Sequence, residues 1–361
     1  LQATITTDCE RRMLKALDRL GVKAQLVSST GNNIVVVQSD VSTMPTHMFS
    51  QIDGVAKVVR LAPTCPLVTD GELSTVTVQI GSTDNGRGGT TVSIGNGEPR
   101  AVIAGPCSVE SLEQFLNIAE AVKESGATML RGGAFKPRTS PYEFAGLGKE
   151  ALAYLSEAKK LTGLPVVSEI MSVRQLELSI EHIDVLQIGA RNMYNYELLK
   201  EAGLTGKPVL LKRSMSATVD EFLHAAEYIL VTGNENVILC ERGIRTFEPR
   251  LRNTLDLSCV ALLKATTNLP VLVDPSHATG RRDLVRSMSR AAIAAGADGL
   301  LIEVHMEPEK SISDAEQAIT PRELALIVDD SRAISEALNL VIETATARAG
   351  GLGSKLMSAC P

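Results

Sequence analysis

The chain has 361 residues, of which 44% are hydrophobic and 22% charged, with a formal net charge of -6. That is the make-up of a globular protein with room for one large domain or a large and a small one. No apolar run is long enough to span a bilayer, no basic stretch leads into an apolar signal core, and no broad basic run offers a surface for nucleic acid.

The cysteines at 9, 65, 107, 240, 259 and 360 are scattered without a CxxC pair. Reduced thiols and a cytoplasmic location fit this better than a disulfide framework.

Residues 1–66 read as a small α+β unit. "QATITT" is a strand. A helix follows with Thr7 and Glu10 in capping-box spacing, an apolar stripe of Met13, Leu14, Leu17 and Leu20, and Gly21 as its stop. Two strands, "AQLVSS" and "NIVVVQS", a short amphipathic segment near 43–52 and a last strand "VAKVVRL" complete a βαββαβ order, the ferredoxin-like arrangement. "PTCP" (63–66) closes the unit. Residues 67–100 read as a linker and a hairpin, "TVTVQIGS" and "TTVSIG" around "TDNGRGG", placed to cover one end of the following domain.

From Ala101 onward short apolar runs alternate with helical patterns. The runs are "AVIAGPCS", "TMLRGGA", "LPVVSEIM", "VLQIGA", "PVLLKRSM", "VILCERG", "LPVLVDPSH" and "GLLIEVH". Near-continuous apolar strands followed by amphipathic helices are parallel strands buried on both faces. Eight such units over residues 101–340 have the count and size of a (β/α)8 TIM barrel; an open doubly wound sheet is the other arrangement considered. Residues 341–361 are expected to be a frayed tail.

Each apolar run ends on a residue with chemistry: Cys107, Arg131, Glu169, Arg191, Lys212, Arg242, Asp274 with His277, and Glu303 with His305. A barrel gathers the C-terminal ends of its strands at one mouth, so these residues are expected to share a site. Arg131, Lys136, Arg138, Arg191, Lys212 and Arg242 then form a cation cluster. Packed like charges repel, so the cluster calls for polyanionic ligands such as phosphates and carboxylates. Some of these cations could instead pair with Glu169, Glu241 or Glu303. Cys107, His277, Glu303 and Asp314 are a mixed sulfur, nitrogen and oxygen set that suits a divalent transition metal, although their spacing alone is weak evidence. The remaining histidines read as structural, with His305 placed to support the set.

The motifs "AGPCS", "KPRTSPYEFAGLG", "QIGARN", "LLKR", "CERGIRTFE", "DPSHATGRRDL", "EVH" and "SDA" occur together and in order. Over roughly residues 70–340 the chain resembles the type I-beta 3-deoxy-D-arabino-heptulosonate 7-phosphate (DAHP) synthases. The N-terminal unit resembles the ACT-like regulatory domain fused to some of them. The resemblance implies condensation of phosphoenolpyruvate with erythrose 4-phosphate, the first step of the shikimate pathway. It also implies a divalent metal, Mn2+ ahead of Co2+, Fe2+ or Zn2+, on Cys107, His277, Glu303 and Asp314.

Arg131, Lys136, Arg191, Lys212 and Arg242 would hold phosphoenolpyruvate. Arg138, Thr139 and Ser140 would hold the sugar phosphate, with Asp274 nearby. Lys136 is the best placed proton donor to the developing alkoxide, with a metal-bound water as the alternative. Feedback inhibition by tyrosine or phenylalanine at residues 1–66 and a homo-oligomer, a tetramer, are further expectations.

Two positions depart from the family pattern, Ser214 and Ala315, where glycine is usual; both put local loop geometry in question. The rival reading is the sister synthase that uses arabinose 5-phosphate and makes 3-deoxy-D-manno-octulosonate 8-phosphate. It carries a "KANRSS"-like run where this chain has "KPRTS".

Overall fold

A computed structural model of the chain describes residues 7–29, 32–37, 39, 41, 44–56, 58, 65–69, 76–81, 90–95, 97–138 and 140–357. It divides into two compact units, Leu1–Pro66 and Leu67–Pro361. The first contains helix α1 (Thr7–Arg19), the antiparallel pair β1 (Ala24–Ser29) and β2 (Asn32–Val37), and the short α2 (Thr46–Ser50). Met13 and Leu17 of α1 are buried with Val22 and Phe49 against Val35 and Val37, so the amphipathic stripe builds this unit's core. Of the expected opening strand, residues 2–6 lie outside the described residues and Thr7 begins α1. Of the expected last strand, residues 55, 56 and 58 are described and are not in a strand.

Helix α3 (Pro66–Thr69) runs from the last residue of the first unit into the second, which continues with the hairpin β3 (Val78–Gly81) and β4 (Thr91–Ile94). Eight parallel strands then close a barrel: β5 (Ala101–Gly105), β6 (Met129–Arg131), β7 (Val166–Ile170), β8 (Val185–Ile188), β9 (Val209–Lys212), β10 (Val237–Glu241), β11 (Val271–Val273) and β12 (Gly299–Glu303). Neighbours pair in chain order, and β12 closes on β5 through Gly299–Ala101 to Glu303–Gly105. This is the (β/α)8 TIM barrel, not the open sheet.

Between the strands run α4 (Leu112–Glu124), α5 (Lys149–Thr162), α6 (Val173–Ser179), α7 (Tyr196–Leu204), α8 (Val219–Leu230), α9 (Leu257–Thr266), α10 (Pro275–Thr279) and α11 (Arg282–Ala294). Their starts are written locally. Ser111 and Ser172 cap α4 and α6, and Thr218 with Glu221 forms a capping box on α8. The last helix, α12 (Pro321–Met357), continues through residues 341–357, which the sequence reading leaves as a tail.

Every strand contributes to one buried cluster that includes Ile103, Met129, Val167, Val185, Leu210, Ile238, Leu272 and Leu301. Val78, Ile80, Val92 and Ile94 of the hairpin belong to the same cluster, so β3 and β4 plug the barrel. The polar chemistry is thereby confined to the other end, where the strands finish. At that end Gly105 has φ +147, and a side chain there would collide with the Arg131 carbonyl. Glycine lets the first two barrel strands approach closely beside the site.

Candidate active site

The ends of β5, β11 and β12 and the loop beyond β12 bring four ligand groups together. Single ligand atoms from Cys107, His277, Glu303 and Asp314 all lie within 4.8 Å of one another. Cys107 Sγ is 3.6 Å from His277 Nε2, which is 3.8 Å from Glu303 Oε1. Asp274 caps α10 through the His277 N–H and takes a second bond of 2.8 Å from His277 Nδ1. The ring is thus turned so that Nε2 faces the cluster. Burial lowers the His277 pKa against the pull of Asp274 and Glu303. Burial, reinforced by Glu303, pushes the Cys107 thiol well above its ordinary range. A cation among these groups would reverse that shift.

The carboxylates supply the clearest test of fit for a metal. Glu303 is buried, and its Oε2 accepts from the Gln317 amide, while Oε1 is buried with no hydrogen-bond partner. A buried carboxylate oxygen with nothing to pair it is costly, and a cation at this place would satisfy it. Asp314 is the one non-glycine with positive φ among the described residues, at 58°. Its Oδ1 pairs with Arg252 at 2.9 Å and its Oδ2 with Lys136 at 2.5 Å. Lys136 Nζ also lies against Cys107 Sγ. Burial would lower the Lys136 pKa, but Cys107, Glu303 and Asp314 outweigh it and raise it. Burial likewise opposes ionisation of Asp314, and Lys136 and His277 more than offset it, holding the carboxyl well below its usual range.

The cations divide by environment. Arg131 is 5% exposed, and its Nη1 is buried without a partner. Lys212 and Arg242 are equally buried; Lys212 meets Asp274 at 2.5 Å, and Arg242 donates to the His277 carbonyl at 3.1 Å. Arg138 is half-buried, held by the Phe144 carbonyl at 2.9 Å and 3.9 Å from Glu143. Arg191 is exposed and Ser140 half-buried; Thr139 lies outside the described residues. Glu169 sits among these cations. Burial raises its pKa despite Lys212, Lys136, Arg131 and Arg191.

Some placements differ from the sequence reading. Asp274, expected beside the sugar phosphate, is fully buried, and its oxygens are taken by Lys212 and His277. Burial opposes its ionisation, yet His277, Lys212 and Arg131 together hold it well below its ordinary value. Glu241 pairs with Arg213 at 3.0 Å rather than with a member of the cation cluster. His305 lies against Gln114 and Glu110, bracing the loop that carries Asp314. Neither Ser214 nor Ala315 has positive φ: the left-handed residue is Asp314, and Ser214 is buried with its N–H on Met193 sulfur. Gln317 and Arg252, both bonded to the carboxylates, were not singled out by the sequence. A glutamine in a loop and an arginine away from a strand end carry no periodic or spacing signal.

A plugged parallel barrel whose open end joins a metal-ready cluster to a set of buried cations, one of them with an unpartnered nitrogen, defines a barrel enzyme for anionic substrates. The family model for the DAHP synthetase I family matches residues 75–338. The phospho-2-dehydro-3-deoxyheptonate aldolase of Thermotoga maritima is 42% identical over 333 residues, covering 92% of this chain and 96% of that one. The crystal structure of that organism's DAHP synthase superposes with a TM-score of 0.81, covering 94% of this chain and 96% of that one at 42% identity. More distant is the 2-dehydro-3-deoxyphosphooctonate aldolase of Desulfatibacillum aliphaticivorans, 34% identical over 69% of this chain and 97% of that one. The chain belongs to the DAHP synthetase I family and is an enzyme of the DAHP synthase type.

Proposed function

We propose that the enzyme joins phosphoenolpyruvate to erythrose 4-phosphate, with water, to give DAHP and inorganic phosphate. The observation that carries this reading is a pair of buried atoms at one mouth without hydrogen-bond partners, Glu303 Oε1 in the ligand cluster and Arg131 Nη1 among the cations. One calls for a cation and the other for an anion.

A divalent ion held by Cys107, His277, Glu303 and Asp314, with manganese ahead of cobalt, iron or zinc, would polarise the aldehyde carbonyl of the sugar. Arg131, Lys212 and Arg242, with Arg191 and Lys136 beside them, bind the phosphate and carboxylate of phosphoenolpyruvate and offset the repulsion between two anionic reactants. Arg138, Thr139 and Ser140 bind the sugar phosphate. Attack by C3 of the enol on the aldehyde carbon forms the new C–C bond and leaves positive charge at C2. Water adds at C2, loses a proton, and the C2 adduct expels phosphate. Lys136, which touches the ligand cluster, donates to the aldehyde oxygen as it gains charge.

Residues 1–66, a compact unit with its own core, act as the regulatory domain for tyrosine or phenylalanine. A homotetramer and a cytoplasmic location belong to the same reading, supported by the family resemblance.

The competing reading takes arabinose 5-phosphate as the aldose, and the 34% identical octonate relative is what favours it. Consumption of phosphoenolpyruvate with each sugar, with and without exhaustive chelation, decides. The enzyme turns over with erythrose 4-phosphate, barely with arabinose 5-phosphate, and stops when stripped of metal. Equal rates with both sugars, or activity that survives chelation, would refute the substrate or the metal assignment respectively.

A further inference from the structure

Each carboxylate of the ligand cluster has one oxygen turned inward and one engaged on its outer side. For Glu303 the outer oxygen is Oε2, bonded by the side-chain amide of Gln317. For Asp314 it is Oδ1, bonded by Arg252 Nη1 at 2.9 Å. The same Nη1 donates to Gln317 Oε1 at 2.8 Å. Gln317 is 2% exposed, so its amide has no water to turn to, and both its ends are spent on this chain of bonds.

The backbone ties the arrangement to the rest of the site. The Gln317 N–H donates to the Asp314 carbonyl at 3.2 Å. The N–H groups of Arg252 and Asn253 donate to the carbonyls of Thr279 and Ala278, at the end of the helix that carries His277.

We propose that Arg252 and Gln317 are positioning residues that set the rotation of the two carboxylates, so that Glu303 and Asp314 each present one oxygen to the bound metal ion. The proposal rests on the metal reading above. The amide of Gln317 holds Glu303 Oε2 outward and leaves Oε1 for the ion. Arg252 does the same for Asp314, whose other oxygen is held by Lys136 at 2.5 Å. One guanidinium charge serves both carboxylates, directly for Asp314 and through a polarised amide for Glu303. Without the pair, either carboxylate could rotate or chelate through both oxygens, and the geometry around the ion would change.

The test uses the full chain, stripped of metal and titrated with Co2+. Calorimetry gives affinity, the near-ultraviolet band reports thiolate bound to cobalt, and the visible bands report coordination geometry. Loss of the thiolate band in Cys107→Ala locates the ion; if the wild-type chain gives no such band, the metal reading itself fails. Gln317→Ala and Arg252→Met are expected to weaken Co2+ binding by about 10–100-fold and to shift the visible bands while keeping the thiolate band. Arg252→Lys should recover most of the loss, because a single nitrogen makes both bonds.

Metal-free unfolding midpoints that match the wild type separate lost positioning from lost folding. Should Gln317→Ala not fold, Arg252→Met carries the test, since that side chain is 38% exposed. Affinity within about threefold of wild type and unchanged visible bands in both variants would overturn the proposal. So would Arg252→Lys binding as weakly as Arg252→Met, which would assign the effect to packing.

Discussion

Oδ2 of Asp274 lies 2.8 Å from Nδ1 of His277, and 2.5 Å from it on the other side is Nζ of Lys212. One buried carboxylate therefore aims a metal-ligand candidate and anchors a substrate-binding candidate. Asp274→Asn keeps the shape, and its one carbonyl oxygen can still cap α10, but it offers no anionic acceptor for both groups. Lys212 would be left buried beside a neutral amide, at a cost of about 3–5 kcal/mol. The expected outcome is a lower unfolding midpoint together with a metal affinity reduced about 10–100-fold. A melting curve and a metal titration of the purified variant check this; wild-type values in both would mean that Asp274 neither aims His277 nor pairs with Lys212 in solution.

Arg131 presents the opposite balance. Its unpartnered Nη1 is a liability in the ligand-free protein and an asset when an anion arrives. Arg131→Met should lower kcat/KM for phosphoenolpyruvate by about 10–100-fold, the worth of a hydrogen bond to a charged group. The same change should move thermal stability little, because loss of the unpaired buried nitrogen offsets loss of a charge that favours ionised Asp274. Steady-state kinetics and calorimetric melting read the two effects independently. A variant that loses stability and keeps its kinetics would contradict the assignment.

Far from the mouth, Asp330 of α12 accepts paired bonds from Arg286 and Arg290 of α11, at 2.7–3.1 Å. The hydrogen bonds from Arg286 and then Arg290 hold its carboxyl well below the ordinary value. A depressed folded pKa contributes stability above the unfolded pKa, about 3.9, and loses it as pH falls through the folded value. Asp330→Asn should therefore cost roughly 1 kcal/mol near neutrality, since both arginines are largely exposed. The gap to wild type should narrow progressively below about pH 4. Denaturant unfolding across that range measures it, and a gap that stays constant down to acid pH would assign the effect to packing.

Removal of residues 1–66 should leave the condensation intact and abolish inhibition by tyrosine or phenylalanine, because that segment is a compact unit with its own core. The comparison is of initial rates for the full and shortened chains with increasing amino acid. Inhibition that survives truncation would place the effector site on the barrel.

Much of the fold was legible in advance because burial on both faces leaves a direct mark. Each barrel strand had to be an apolar run, and Ile103, Val167 and Leu301 are all fully or almost fully buried. Residues at strand ends were legible for the same reason, since an apolar run that stops on Cys107, Lys212 or Glu303 marks where the barrel opens. What escaped were contacts between segments distant in sequence. Gln317 reaching Glu303 and Arg252 reaching Asp314 depend on loops folding back over strand ends, and Arg213 pairing with Glu241 depends on β9 and β10 ending side by side. No periodicity encodes such contacts. Asp274 is legible as a site residue but its bonds to Lys212 and His277 are not, because one position in a motif does not say which way a carboxylate points.

The sequence by itself determined the number of strands, their parallel packing, the inventory of cations and the four ligand types, all set by local hydrophobic period and residue chemistry. Only the tertiary structure decided which charges are met and which are not. Lys212 is paired with Asp274 and Asp314 with Arg252, whereas Glu303 Oε1 and Arg131 Nη1 are left without hydrogen-bond partners. Partnership of buried polar atoms depends on angles and distances between segments up to about two hundred residues apart, as Ser108 and Ser313 are. Barrel closure creates those distances, and local sequence does not contain them.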